Sequence, residues 1–151
     1  MHYQTVKDVV DHSRKLHQQI GQLYHQLSED QAQEKVSMLL DYLQRHESHL
    51  EESLCKFEDD KTQKVLESWF QYAPDHDLNE VLSGMEVHDH MNADQVVSMA
   101  LKLDDYFIDL YEDMVRSSSS SSVRAVFQNL LDMEKQEKIR TAKTAMQMYD
   151  M

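Results

Sequence analysis

Glycine and proline are scarce in this sequence, whose 151 residues include 2 Gly and 1 Pro. Because both residues are enriched in turns, their scarcity disfavours an all-β or α/β fold and favours helices joined by few loops. No apolar run approaches the roughly 18 residues of a membrane-spanning helix. The N-terminus also lacks the basic and then apolar stretch of a signal peptide. The single Cys55 cannot form an internal disulfide, so we expect a cytoplasmic protein with one domain over residues 1–151.

Positive charge is the other deficit. Lys and Arg number 15 against 28 Asp and Glu, which gives a formal net charge of −13 and a pI near 4.9. Such an acidic surface repels phosphate groups, so we expect neither nucleic acid nor a membrane among the partners. The hydrophobic fraction of 40% is sufficient for a core, and 9 histidines are a surplus in so short and acidic a chain.

Four long helices are predicted from the spacing of apolar residues and of helix-breaking residues. Three of them cover residues 5–27, 31–57 and 93–115, and the fourth follows the serine run at 117–122 and continues nearly to the C-terminus. The serine run is predicted to be a mobile loop. Between the second and third helices lies a crossover of about 34 residues. We predict that it contains a short helix over 62–72, halted by Pro74, and a helical turn over 78–82.

The apolar stripe of each long helix is interrupted near its middle by a histidine or a carboxylate. The interrupting residues, in chain order, are His17, His46 with His49 at the edge of its stripe, Asp104, Glu134 and Glu137. Because the middles of helices of similar length meet in one layer of a bundle, we predict that these six side chains converge inside the core. Unpaired buried charges cost several kcal/mol, so such a cluster requires charged partners or a metal ion. Imidazoles and carboxylates are suitable ligands for iron, manganese or zinc.

The spacing of these residues supports a common site but leaves two alternatives open. Residues three apart share a helix face, which places His46 with His49, and Glu134 with Glu137, within reach of one ion. Glu47 lies on an equally apolar stripe of the second helix and is an alternative inward carboxylate. The fourth helix has a second stripe that is an alternative core face, formed by Leu131, Ile139, Ala142 and Met146.

The layout of these residues resembles that of the ferritin-like superfamily, and most closely its rubrerythrin-type bundles. The Glu and Tyr of the family's first helix, separated by six residues, are matched here by His17 and Tyr24, and its third-helix Glu is matched by Asp104. Its two Glu-x-x-His motifs are matched by His46-Glu47-Ser48-His49 and Glu134-Lys135-Gln136-Glu137. Of the matched ligand positions, Glu134 and His49 keep the residue types of the family. The single long crossover is also typical of ferritin-like bundles.

The resemblance implies an all-α, ferritin-like four-helix bundle with a long crossover between helices 2 and 3. It implies a mid-bundle site for one or two ions of iron, manganese or zinc, at which Tyr24 and Tyr111 orient the carboxylates. Such sites react with O₂ or peroxide, so oxidase, peroxidase or ferroxidase activity is the implied chemistry. The chain has no Cys-x-x-Cys pair and therefore no rubredoxin-like electron-transfer module. We further expect a homodimer.

Two functional hypotheses follow. The first is a non-haem metal-binding protein whose ligands are the six residues that interrupt the apolar stripes. The second is a degenerate bundle without metal or catalysis that acts through its acidic surface as a stress-related or protein-interaction module. In the crossover, we interpret His76, His88 and His90 as exposed loop residues, with an adventitious metal site at His88-Asp89-His90 as the alternative.

Overall fold

The computed structural model describes residues 4–29, 31–60, 63–70 and 76–149. In chain order its elements are β1 (Gln4–Thr5), α1 (Val6–Glu29), α2 (Glu34–Asp60), α3 (Gln63–Leu66), β2 (Trp69–Phe70), α4 (Leu78–Leu82), α5 (Ala93–Ser117) and α6 (Ser121–Tyr149). The predicted architecture of four long helices with one long crossover between the second and third is confirmed. Within the described ranges, no helix is long and apolar enough to cross a membrane.

The four long helices pack as two hairpins. α1 contacts α2 along its length, α5 contacts α6, and α2 also contacts both α5 and α6. Short links make each of the two pairs antiparallel. The largest fully buried side chains include Tyr24, Leu43, Phe107, Tyr111 and Phe127. The core therefore lies between the two hairpins, where all four apolar stripes meet.

The stripe of α6 that contains the carboxylates faces this core. Glu134 and Thr141 are buried, whereas Ile139 and Met146 have exposed fractions of 55% and 68%. The alternative stripe of the fourth helix is therefore not its core face, although Leu131 is itself buried.

The crossover differs from its prediction. Helix α3 ends at Leu66, and the chain then forms β2, which pairs antiparallel with β1 so that Gln4 is the partner of Phe70. This pairing satisfies backbone groups at the start of the chain, and Phe70 is buried against Phe127 with ring centroids 5.5 Å apart. The predicted helix over 62–72 is therefore wrong beyond Leu66, whereas the predicted turn over 78–82 is confirmed as α4. Thr62, Tyr72 and Pro74 lie outside the described residues.

The serine run forms a much shorter loop than its composition predicts. α5 includes Ser117 and α6 begins at Ser121, so residues 118–120 alone connect them. The Arg124 guanidinium donates to the Ser118 carbonyl at 2.9 Å, and the Arg124 backbone N–H donates to the Ser120 carbonyl at 2.9 Å. These bonds attach the link between α5 and α6 to the first turn of α6.

Asn92 caps α5 and carries a prediction of its own. Its side chain accepts from the Gln95 backbone N–H at 2.8 Å, and the Gln95 side chain accepts from the Asn92 N–H at 2.9 Å. Because both bonds satisfy N–H groups that the helix leaves without partners, Asn92→Ala is expected to lower the free energy of unfolding by about 1 kcal/mol. Urea denaturation measures this loss. Asn129→Ala, the same change at an exposed site within α6, is the control, and equal effects of the two substitutions would contradict the capping role.

Candidate metal centre

His17 lies at the centre of the bundle and contacts the three other long helices. Its side chain is fully buried. Its Nδ1 forms a short hydrogen bond with Oε2 of Glu47 on α2, and its Nε2 lies 2.8 Å from Oε1 of Glu134 on α6. Its ring stacks on Phe107 of α5, with centroids 3.8 Å apart and planes inclined by 14°. One imidazole therefore joins two carboxylates from two different helices.

Glu47 reaches this position because α1 and α2 approach closely at Gly21. A Cβ added at Gly21 would lie 3.5 Å from the Glu47 Cβ, which is an ordinary van der Waals contact between the two helices. Glu47 and its neighbour His46 have exposed fractions of 1% and 6%. Both face the interior, because Glu47 points to α1 while His46 points to α5 and α6. The sequence left open whether His46 or Glu47 faces the core. In the structure both residues are buried.

His46 connects a second pair of carboxylates. Its Nε2 lies 3.5 Å from Oδ1 of Asp104 on α5, and its Nδ1 lies 3.2 Å from Oε2 of Glu137 on α6. Toward the surface, the Arg140 guanidinium donates to Oε1 of Glu137 at 2.7 Å. The Nε2 atom of His49 lies 3.8 Å from the same oxygen. This series of contacts runs from the buried Asp104 through the buried Glu137 to the exposed Arg140.

Most of the residues predicted to converge do so. The five that are buried together are His17, His46, Asp104, Glu134 and Glu137. His49 differs, because its side chain is 60% exposed and its contact with the cluster, among the described residues, is with Glu137. Glu47 is the sixth member of the buried set. In the sequence, its burial was indicated by the apolar stripe of α2 on which it lies.

The crossover histidines lie apart from this buried set. His76 pairs with Glu80 at 3.0 Å, and His88 and His90 are exposed, as predicted. His88 Nδ1 accepts from the His90 backbone N–H at 3.2 Å. These histidines form no metal-holding group among the described residues.

Burial and pairing shift the pKa values of the buried groups. Burial alone lowers the pKa of His17, but the two carboxylates on its ring outweigh this effect and raise it to about 10. The pKa of His46 is raised in the same way, by the hydrogen bond and charge of Asp104 against the effect of burial. Burial raises the pKa of Asp104 and of Glu134, although His46 and His17 respectively oppose the shift. At neutral pH the ring of His17 is therefore a cation.

The buried layer contains more negative than positive charge when its groups are ionised. Its carboxylates are Glu47, Asp104, Glu134 and Glu137. The balancing cations are His17, His46 and the surface guanidinium of Arg140, which leaves one negative charge in excess. If His46 loses its proton to act as a metal ligand, the excess rises to two negative charges, which one divalent ion would balance.

Three buried residues are placed to hold such an ion. Ligand atoms of His46, Glu47 and Asp104 all lie within 4.8 Å of one another. Ligands around a bound ion lie about 2.0–2.2 Å from it, so small side-chain movements would close this triangle around a metal. The Oδ2 atom of Asp104 is buried without a hydrogen-bond partner in the structure, as expected for an oxygen that faces an ion. The residues present therefore fit one divalent ion.

A polar cavity lies beside this layer, between α1 and α2. Its volume is about 210 Å³, and its lining residues are His17, Gln18, Gly21, Gln22, Gln44, Ser48 and Glu51. Most of its lining side chains are amides or a hydroxyl, which hydrate readily. The cavity borders the part of α1 that carries His17, whose side chain is itself fully buried.

Comparison with known proteins establishes the fold. No protein-family model matches the sequence, and a comparison with curated proteins finds no match. Among solved structures, the chain is similar to a Thermotoga maritima protein provisionally described as a ferritin-like diiron-carboxylate protein, with a TM-score of 0.62 and 17% sequence identity over 96% of this chain and 97% of that chain. The predicted ferritin-like fold is confirmed. At this identity the likeness concerns the fold alone.

Proposed function

We propose that this protein is a non-haem metal-binding bundle that holds a divalent ion through His46, Glu47 and Asp104. The observation that carries the proposal is the triangle of buried ligand atoms within 4.8 Å of one another. The unpartnered Oδ2 of Asp104 supports it, because a buried carboxylate oxygen without a donor is costly unless a cation faces it. The provisional diiron-carboxylate description of the Thermotoga protein is consistent with this reading. Iron, manganese and zinc all suit one imidazole and two carboxylates.

The surrounding residues orient the ligands. Glu137 lies 3.2 Å from Nδ1 of His46 as an ion pair without hydrogen-bond geometry, and in this proposal it keeps Nε2 of the ring directed at Asp104. A carboxylate on the far nitrogen of a metal-bound imidazole fixes its orientation and raises its basicity. Arg140 in turn holds Glu137 from the surface. His49 has its only described contact with the cluster at Glu137, and in this proposal it supports that carboxylate rather than binding the ion.

Aromatic side chains cover part of the layer. Phe107 covers one face of His17, and Tyr24 and Tyr111 are also fully buried. A dry surrounding strengthens the interaction between the carboxylates and a bound cation. Iron or manganese in such a site supplies open coordination positions for O₂ or peroxide, which is the basis for proposing oxidase, peroxidase or ferroxidase activity.

Metal analysis tests the proposal directly. Protein without a His tag, purified from medium supplemented with iron and manganese, is expected to retain about one ion per chain. Added Mn²⁺ is expected to stabilise the metal-free protein by about 2.7 kcal/mol at a hundred times the dissociation constant, which for a chain of this size is a rise in Tm of about 5–10 °C. Less than about 0.2 ion per chain together with an unchanged Tm would rule out the metal site.

A metal-free bundle is the second candidate, and one observation favours it. The His17 imidazole already balances part of the charge of Glu47 and Glu134, so the layer can exist without an ion. In that case the protein acts through its acidic surface as an interaction module. The metal analysis separates the two candidates, because the second predicts neither retained metal nor a change in Tm.

A further inference from the structure

The position of His17 has a consequence for the number of ions. In di-metal carboxylate bundles, two helices each supply a Glu and the other two each supply a Glu-x-x-His motif, with all side chains directed inward. In this structure the inward glutamates of α2 and α6 are Glu47 and Glu134. The residues three positions further on are the buried Leu50 and Glu137 rather than two histidines. The layer instead has two buried imidazoles, His46 from α2 and His17 from α1.

The ring of His17 fills the space that these two glutamates share. Both of its nitrogens are engaged, one by Glu47 and the other by Glu134 at 2.8 Å. The ring is fully buried and stacked on Phe107. A cation that bound both carboxylates between the two helices would have to displace this ring.

We infer that the His17 imidazole occupies the position of a second divalent ion between Glu47 and Glu134, and thereby limits this bundle to a single ion. The inference rests on the proposed function for the single ion that the bundle binds. It does not rest on the proposed function for the second ion, which the ring excludes. The ring does in this position what a metal ion does, because it bridges two carboxylates from opposite hairpins. Substitution of His17 therefore converts a one-ion layer into one with an additional cation site.

The test is the number of ions bound by His17→Glu. This variant replaces the bridging ring with a third carboxylate, so it is expected to bind one more Mn²⁺ per chain than the wild type. Elemental analysis after dialysis gives the count, and electron paramagnetic resonance gives a second readout, because two adjacent Mn²⁺ ions are exchange-coupled and a single ion is not. The control is His25→Glu, at an exposed position of the same helix, for which the count is expected to be unchanged.

The counts distinguish failure of the inference from failure of the proposed function. Equal counts in wild type and His17→Glu overturn the inference, and a count of one in both leaves the proposed function intact. No ion in the wild type and one in the variant overturns the proposed function and supports the inference. Two ions in the wild type overturn the inference, because the ring would then not exclude the second ion.

A second variant keeps the inference testable if His17→Glu does not fold. His17→Gly leaves a cavity of the size of the ring between two carboxylates, so it is expected to be less stable than the wild type and to regain stability when imidazole or Mn²⁺ is added. The Tm of metal-free protein measures this rescue, with the wild type under the same additions as the reference. Failure of both additions to raise the Tm of His17→Gly more than that of the wild type overturns the inference.

Discussion

Replacement of His17 by Leu is expected to lower the free energy of unfolding of the metal-free protein by about 3–5 kcal/mol at pH 7. Leu is similar in size to the imidazole and can pack against Phe107, so the loss is not primarily one of volume. It arises because Glu47 and Glu134 lose the cation between them while both remain buried. Urea denaturation in the presence of a chelator measures the change.

The pH dependence identifies the loss as electrostatic. Folding raises the pKa of His17 from 6.5 to about 10. The stabilisation from this residue is therefore fully present below pH 6.5 and is lost as the pH rises through 10. In the Leu variant, burial holds the pKa of Glu134 above its usual range without an opposing imidazolium, so the variant gains stability as the pH falls and this carboxyl takes up a proton. The difference between the two proteins is expected to be largest near pH 7, to fall steadily from there to about pH 10 as the stabilisation from His17 is lost, and to be smaller near pH 5, where the carboxyls of the variant take up protons.

The matched control is His25→Leu on the same helix. His25 pairs with Glu29 at 3.0 Å, and its side chain is 53% exposed. An exposed pair of this kind contributes at most about 0.5 kcal/mol. If His17→Leu were no more destabilising than His25→Leu at any pH, the buried imidazolium would have no role in holding the layer together.

The long helices and their core could be predicted because periodicity over more than 20 residues leaves little choice of face. Each of α1, α2, α5 and α6 has 24 to 29 residues, so the buried stripe repeats many times. The same repetition identified the middle of each helix and thereby five of the buried polar residues. Glu134 and Glu137 show the strength of this argument, since carboxylates are seldom buried and composition alone would assign them to the surface.

The orientation of α2 was harder to predict, because its core face is centred between two polar neighbours. Residues advance about 100° per position around a helix, so Leu43 and Leu50 project between His46 and Glu47, and both neighbours border the same buried stripe. His49 lies on the far side of His46 and turns to the solvent. Leu43 and Leu50 are fully buried. Their apolar side chains, which lie between His46 and Glu47 around the helix, were the signal in the sequence that both polar residues face inward.

The crossover could not be predicted from local pattern because its structure depends on a distant segment. Trp69 and Phe70 form a strand only because Gln4 and Thr5 lie beside them, and Val6 donates its backbone N–H to the Ser68 carbonyl at 2.9 Å. No feature within residues 62–72 indicates that partner. In the serine run, helix formation by neighbouring residues likewise outweighed the weak helix preference of serine.

Replacement of Glu47 by Gln is expected to weaken Mn²⁺ binding by at least about 100-fold. Gln keeps the shape of the side chain and an oxygen that can accept from His17, so the bundle is expected to fold. It removes a negatively charged ligand from the triangle with His46 and Asp104. Loss of a residue that merely orients a ligand weakens metal binding by about 10–100-fold, so loss of a ligand is expected to cost at least about 100-fold.

A graded series of three Glu→Gln variants makes this result specific. Glu137→Gln, which alters the residue that orients His46, is expected to weaken binding by about 10–100-fold. Glu52→Gln, at an exposed site of α2, is expected to leave binding unchanged. Calorimetric titration of metal-free protein with Mn²⁺ gives the three dissociation constants, and circular dichroism verifies that each variant is helical. Glu47→Gln is the one change in the series that removes charge from the triangle itself. If this variant bound Mn²⁺ with wild-type affinity, Glu47 would be excluded as a ligand.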